Sequence, residues 1–323
     1  MIRLGFIGAG AIGSLFGGYL ANIKKMKIEV HLFCSHDHAV AIRKNGLKIK
    51  TEEKILSIKN LNVYDRNTKK LTIDFNFDYL FLTTKTYDTK EAIDQYRNII
   101  DKSQYFVILQ NGLGNEDLLL PLVEKRKILR IVTSHAALLS HPGQVTHTGK
   151  GFTFSGIPYF SSVEKEFGSY EDIQFSLNRL NNLLNLAGFD SHIERDILLK
   201  VWQKAIVNIG INAIGALTRL KNGKIIEDED LCDLMEKAVI EAVEVGKKMN
   251  IPLSKNNCIE LTYSVANQTY NNKNSMLQDI LNGKKTEIDI LNGKIVDLAN
   301  KLNIKVGVNE ILTLLIKGLE SGL

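Results

Sequence analysis

Lys204, Asn208 and Asn212 recur four residues apart in the largely apolar run VWQKAIVNIGINAIGAL, Val201 to Leu217. At 3.6 residues per turn this spacing keeps an ammonium and two carboxamides on one slowly drifting helix face, inside what is otherwise core. Burying an ammonium is expensive unless something pairs with it. Two readings are open on this stretch alone. Either the lysine snorkels from the helix flank and the asparagines bond to backbone, or a dry ammonium is retained because chemistry needs its proton.

Glu287 is the natural counter-ion. It stands at the start of a helix expected from about Thr286, beside a buried stripe of Ile288, Leu291, Ile295 and Leu298. A helix N-terminus favours an ionised carboxylate; a glutamate there that simply faces water is the plain alternative. Full burial lowers a lysine pKa at a cost of up to about 4 to 7 kcal/mol. One carboxylate at about 4 Å returns about 4 kcal/mol at an effective dielectric of about 20. The two effects are comparable, so the ammonium stays charged near neutrality and can still release a proton, as a general acid must. Hydride transfer to a ketone leaves negative charge on oxygen, and such an ammonium answers it. The asparagines suit a hydroxylated, carboxylated substrate. Asn274 to Asp279 form a polar turn entering a helix, either a capped turn or a place where Ser275 and N–H groups hold a carboxylate.

The elements that must position these groups are legible in outline. An apolar strand pattern from Met1 ends in Ile7 and is followed at once by GAGAIG, then by a helix-like run from Ser14 to Asn22. Gly8, Gly10 and Gly13 thus form Gly-x-Gly-x-x-Gly between strand and helix, where the backbone can approach a pyrophosphate at the helix N-terminus. Gly8, Ala9, Gly10, Ala11, Ile12 and Gly13 are the expected dinucleotide cradle. Apolar strands then alternate with amphipathic segments, as in a doubly wound parallel sheet. Ile28 to Phe33 is followed by a helix from about Asp37 to Lys44 capped by Ser35, and Leu47 to Tyr64 alternates like short antiparallel strands inserted at one side. Tyr79 to Thr83 and Phe106 to Leu109 are continuous apolar runs ending in Thr84 and Lys85, and in Gln110, Asn111 and Gly112. Ligands of open sheets sit outside the carboxyl ends of the strands, which makes both polar clusters candidates. From Ile128 to Gly156 the pattern is strand-like, and His135, His141 and His147 lack metal-ligand spacing. Beyond Glu194 the pattern is helical only: Val201 to Leu217, Leu231 to Met249, Lys255 to Asn271, Glu287 to Leu302 and Val308 to Leu319. The fold class is therefore α/β, a Rossmann-type domain over 1–194 followed by an all-helical domain over 195–323.

The 323 residues, 44% hydrophobic, are enough for two cores. No uninterrupted apolar run reaches the length of a membrane span, and Met1 leads straight into a strand, so a soluble, cytoplasmic protein without a membrane partner is expected. Cys34, Cys232 and Cys258 are odd in number and lack C-x-x-C spacing, indicating neither a disulfide framework nor zinc. The net charge of +5 is spread along the chain, which argues against nucleic acid and fits small anionic ligands. Exposed helical faces of the second domain can pack on each other or form a homodimer.

Several motifs in series resemble one family, the ketopantoate reductases (2-dehydropantoate 2-reductases): GAGAIGS from Gly8, TTKTYDT from Thr83, QNGLGN from Gln110, WQKAIVNIGIN from Trp202 and NSMLQDILNGKKTEIDILNG from Asn274. The resemblance implies reduction of 2-dehydropantoate to (R)-pantoate with NADPH, on the way to pantothenate and coenzyme A. It implies Lys204 as catalytic acid and Glu287 as its partner. By the same resemblance Asn208, Asn212 and Ser275 would hold substrate with Asp279 shaping the site, Lys85 and Asn111 would lie by nicotinamide and substrate, and the active site is expected between the domains. One position departs. Where family members commonly place an arginine for the 2′-phosphate of NADPH, this chain has Ser35, with no acidic residue there either, so NADP follows from the family and NAD stays open; His36, His38 and Arg43 are nearby sources of positive charge. The competing readings are a reductase of another 2-oxo acid and a non-catalytic nucleotide-binding protein.

Overall fold

The computed structural model describes residues 1–68, 73–160 and 171–323. They divide into two compact units, Met1–Gln110 with Asn115–Ile197, and Asn111–Gly114 with Leu198–Leu323.

In the first unit an eight-stranded sheet is laid down from β1 (Ile2–Ile7), β2 (Ile28–Cys34), β5 (Leu61–Asp65), β6 (Phe77–Leu82), β7 (Ser103–Ile108), β8 (Ile128–Thr133), β11 (Phe152–Gly156) and β12 (Asp190–Ile193). Its order is β12-β11-β8-β7-β6-β1-β2-β5. The six strands from β8 to β5 are mutually parallel, and β11 runs antiparallel to β8. Leu4, Phe6, Leu32, Phe81 and Val107 are fully buried because a sheet covered on both faces needs apolar side chains in both directions. The helices Ala11–Ala21 and Glu171–Leu186 cover one face, while Ile93, Tyr96, Ile99 and Leu119 belong to the core on the other.

The segment from Leu47 to Tyr64 departs from the sequence expectation. Only β3 (Leu47–Lys50) and β4 (Ile55–Ile58) form an antiparallel pair, and they belong to a separate four-stranded sheet with β9 (Ala136–His141) and β10 (Gln144–Gly149). Leu61–Asp65 is instead the parallel edge of the main sheet, with Cys34 opposite Asp65. Alternation alone cannot distinguish a hairpin arm from an edge strand with one face against solvent.

The second unit is helical: Leu198 to Thr218 of the helix Ile197–Thr218, then Asn222–Ile225, Glu229–Lys248, Lys255–Gln268, Ser275–Leu281, Asn292–Leu302 and Gly307–Glu320. The helix Ile197–Thr218 is long and apolar enough to cross a membrane by composition, with mean hydropathy 1.2, yet 67% of that window is packed inside the protein. Ile206, Val207, Ile209, Ile211, Ala213 and Ile214 are among its buried residues around Asn208 and Asn212.

A structural difference lies at Glu287. The helix expected from Thr286 begins only at Asn292, after a single 3-10 turn at Ile288–Ile290 and a break at Leu291 (φ −109°, ψ −102°). Glu287 precedes that turn, so a helix dipole in its first turn is not what holds its charge.

Candidate active site

Within the second unit, Lys204 Nζ donates to Asn111 Oδ1 at 2.7 Å, and Asn111 Nδ2 donates to Glu287 Oε2 at 3.3 Å. The carboxamide of Asn111 thus links an ammonium to a carboxylate with its oxygen towards the cation and its N–H towards the anion, the only orientation that satisfies both charges. Glu287 is buried at 8% exposure, while Lys204 and Asn111 are half-buried, which leaves the ammonium reachable.

Three local features hold this arrangement. Gly112 has φ +86°, and an added Cβ would meet Ile290 Cδ1 at 2.5 Å, so only glycine lets the tetrapeptide press against the Ile288–Ile290 turn. Leu113 N donates to Ile290 O at 3.3 Å. Asn292, wholly buried, donates to Ile209 O at 3.2 Å and to Asn309 Oδ1 at 3.0 Å. The Asn292 bond ties the segment carrying Glu287 to the backbone of the lysine helix, between Asn208 and Asn212. Asn309 donates onward to Ala238 O and Glu241, whose carboxylate also accepts the N–H groups of Val308 and Asn309. Sequence reasoning missed Asn292, Asn309 and Glu241, because a lone asparagine on an apolar face carries no spacing signal.

Along the lysine helix, Asn208 is half-buried and Asn212 is buried. Asn212 Nδ2 donates to Ser275 Oγ at 3.4 Å, so these two expected substrate ligands are together. Asn274 caps the helix Ser275–Leu281 by accepting from Leu277 N at 2.9 Å, leaving the Ser275 side chain exposed. Asp279 is half-buried in that helix, and its carbonyl receives the N–H of Lys284 at 2.9 Å.

In the first unit the glycine turn has the shape a dinucleotide requires. Gly8 has φ +78°, and an added Cβ would lie 2.7 Å from the Thr84 backbone. An added Cβ at Gly10 meets protein first at 3.9 Å, so that position opens on free space. Ala9 is buried, Ala11 and Ile12 are half-buried, and Gly13 packs on Thr83. The helix that starts at Ala11 directs its first N–H groups out of the turn. These residues fit a nicotinamide dinucleotide by its pyrophosphate.

The TTKTYDT and QNGLGN motifs are joined by Gln110, whose amide donates to Thr84 O, Thr84 Oγ1 and Thr89 Oγ1 at 2.8, 2.9 and 2.7 Å. Lys85, half-buried, stands between them at the start of the 3-10 turn Thr86–Asp88. Gln110 O accepts from Arg130 Nη2 at 2.7 Å, and Arg130 Nε lies 3.4 Å from Glu116 Oε1. That buried pair, 2% and 6% exposed, was also missed, since nothing in the sequence marks Arg130 as interior.

At the carboxyl end of β2, Ser35 is exposed and occupies the expected N-cap position of the helix His36–Asn45, where its carbonyl accepts from Ala39 N at 2.9 Å and its side chain makes no cap bond. His36 Nδ1 lies 2.5 Å from Asp65 Oδ2, and that bond raises the imidazole pKa above its ordinary value. Arg43 spends its guanidinium on Val63 O. His38 is not a source of positive charge: it is 1% exposed, and burial pushes its pKa down to about 4.

Two family models match the chain, and both describe ketopantoate reductases. Residues 4–158 match the family described as ketopantoate reductase PanE/ApbA, and 196–320 its C-terminal counterpart. The chain is 36% identical over 324 residues to a 2-dehydropantoate 2-reductase of Pyrococcus abyssi, covering 99% of this chain and 98% of that protein. It is 31% identical to the enzyme of the same name from Archaeoglobus fulgidus, with 99% of each covered. A PanE/ApbA family ketopantoate reductase from Ralstonia eutropha JMP134 superposes with TM-score 0.85 at 26% identity over 99% of both chains. A D-mandelate dehydrogenase solved with NADH and anilino(oxo)acetate shares the fold at TM-score 0.86, 24% identity and 99% coverage of both.

Proposed function

The chain belongs to the ketopantoate reductase family, and on that premise we propose that it is an NADPH-dependent oxidoreductase reducing 2-dehydropantoate to (R)-pantoate for pantothenate and coenzyme A biosynthesis. The observation that carries the reading is the Lys204–Asn111–Glu287 linkage, which holds the lysine amine in one orientation in a partly buried setting.

The turn formed by Gly8, Ala9, Gly10, Ala11, Ile12 and Gly13, with Lys85 at the adjacent strand end, would hold a reduced nicotinamide dinucleotide by its pyrophosphate, and that group would supply the hydride. The chain's own contribution is at the substrate oxygen. As the carbonyl carbon becomes tetrahedral, Lys204 Nζ stabilises the negative charge on the oxygen and passes it a proton. Asn111 holds that ammonium in place, and Glu287 places a negative charge on the far side of the amide. Asn208, Asn212 and Ser275 supply amide and hydroxyl groups for the substrate's hydroxyl and carboxylate, with Asp279 shaping that end of the site.

NADPH is the proposed reductant because His36, whose pKa the Asp65 bond raises, and the exposed Ser35 stand where the ribose end of β2 would meet a 2′-phosphate. Loss of NADPH or NADH absorbance with ketopantoate tests the assignment, and no turnover with either cofactor rejects it. A panel of branched and hydroxylated 2-oxo acids ranked by kcat/KM separates ketopantoate from a related substrate.

A further inference from the structure

His38 plays no part in the chemistry above, yet its surroundings fix its state without ambiguity. Its Nδ1 lies 2.8 Å from the backbone N of Gly143, in the turn joining β9 to β10. A backbone N–H can only donate, so Nδ1 accepts and the neutral ring carries its proton on Nε2. Nε2 lies 3.0 Å from Ser14 Oγ, and Ser14 Oγ lies 3.0 Å from the carbonyl oxygen of Ala9. A carbonyl can only accept, so the hydroxyl hydrogen goes to Ala9 and its oxygen receives the imidazole N–H. Gly143, His38, Ser14 and Ala9 form one chain with a single direction, and both of its side chains are essentially inaccessible, Ser14 at 0% and His38 at 1%.

Its end point lies inside the glycine motif. Gly8 O accepts from Gly10 N at 2.7 Å and Thr83 Oγ1 at 3.0 Å, and Gly10 O accepts from Ser14 N at 3.0 Å. With Ala9 O taken by Ser14, all three carbonyls of the turn are bonded to protein donors. The turn therefore shows an anion no carbonyl oxygen that lacks a donor, which a pyrophosphate requires. Ala9 O is the carbonyl whose donor, the Ser14 hydroxyl, is in turn bonded to His38.

We propose that His38 is a positioning residue for the dinucleotide: through Ser14 it holds the Ala9–Gly10 peptide in the orientation that admits a pyrophosphate. The inference rests on the glycine turn being the cofactor site, as proposed above. It assigns the helix after β2 a function in phosphate recognition beside any contact with the ribose.

Calorimetric titration with NADPH tests it, on wild-type protein and on His38→Leu, His38→Gln, Ser14→Ala and the Ser14→Ala/His38→Leu double variant. Losing the chain raises Kd about tenfold, the scale of one or two net hydrogen bonds. Glutamine, which accepts at one atom and donates at the other, restores Kd to within about threefold of wild type. The double variant is no weaker than the weaker single, as members of one chain are non-additive. At saturating NADPH, kcat stays within about twofold of wild type, a Kd-against-kcat split that general loosening of the core would not give. Unchanged Kd in His38→Leu, additive effects in the double variant, or failure of glutamine to rescue overturns the proposal. Should His38→Leu not fold, a wild-type Kd in Ser14→Ala overturns it equally. Wild-type protein that binds no NADPH at all overturns the cofactor site itself, and this inference with it.

Discussion

Lys204 Nζ stands 2.7 Å from Asn111 Oδ1, and Asn111 belongs by its contacts to the helical unit although Gln110 and Asn115 on either side belong to the sheet unit. A four-residue excursion thus delivers the carboxamide that orients the proton donor. The first prediction concerns the donor. Lys204→Ala keeps NADPH binding and loses at least about a hundredfold in kcat, the scale of general acid catalysis. Titration plus steady-state kinetics measures it, and unchanged turnover removes Lys204 from the mechanism.

Asn111→Leu keeps the branched shape and deletes both bonds of the link, leaving Glu287 buried without that donor. Turnover should fall about tenfold or more, since each lost charge-assisted bond is worth about 1.5 to 3 kcal/mol. Asn111→Asp should be no better, because it places a second carboxylate beside Glu287. Wild-type kcat/KM in either variant would show that the amide is a bystander.

Ser35→Arg puts a guanidinium at the carboxyl end of β2, where Arg43 is already engaged with Val63. The ratio of kcat/KM for NADPH over NADH should rise about tenfold, from a charge-assisted contact to the 2′-phosphate. An unaltered ratio would mean that this strand end does not face the ribose.

Arg130 and Glu116 are buried together beside Gln110. Removing one charge strands the other, so Arg130→Met should cost about 3 to 5 kcal/mol, and adding Glu116→Leu should recover most of it. Urea unfolding midpoints report this; equal midpoints for wild type and the single variant would contradict it.

Acid sensitivity follows from three buried imidazoles. Burial pushes His31, His38 and His135 each down to about 4. They are neutral in the fold, whereas in the unfolded chain they titrate near about 6.5. Between about pH 4 and 6.5 the unfolded chain binds more protons, so stability rises with pH across that window and is lost as pH falls through it. With all three acting, the slope approaches about 4 kcal/mol per pH unit in mid-window. His38→Gln should flatten it by about a third, and urea midpoints that match at pH 5 and pH 7 would sink the account.

What the sequence determined by itself was whatever local chemistry enforces. Gly8, Gly10 and Gly13 between an apolar strand and a helix dictate the turn, because only glycine tolerates φ +78° with Thr84 so close. Four-residue spacing dictates that Lys204, Asn208 and Asn212 share a helix, and continuous apolar runs dictate buried parallel strands at β6 and β7. Tertiary structure alone decided the rest. Leu61–Asp65 pairs with β2 and not with the hairpin before it, since an alternating strand carries no mark of its partner. Glu287 lies ahead of a 3-10 turn, its place fixed by Asn292 reaching the carbonyl of Ile209, 83 residues away in sequence. Asn111 meets Lys204 across 93 residues and Glu287 across 176. His38 looks in sequence like surface charge beside the ribose and in space is a neutral buried ring. Periodicity reports which way a side chain points within its own element; the partner it meets depends on how distant elements pack.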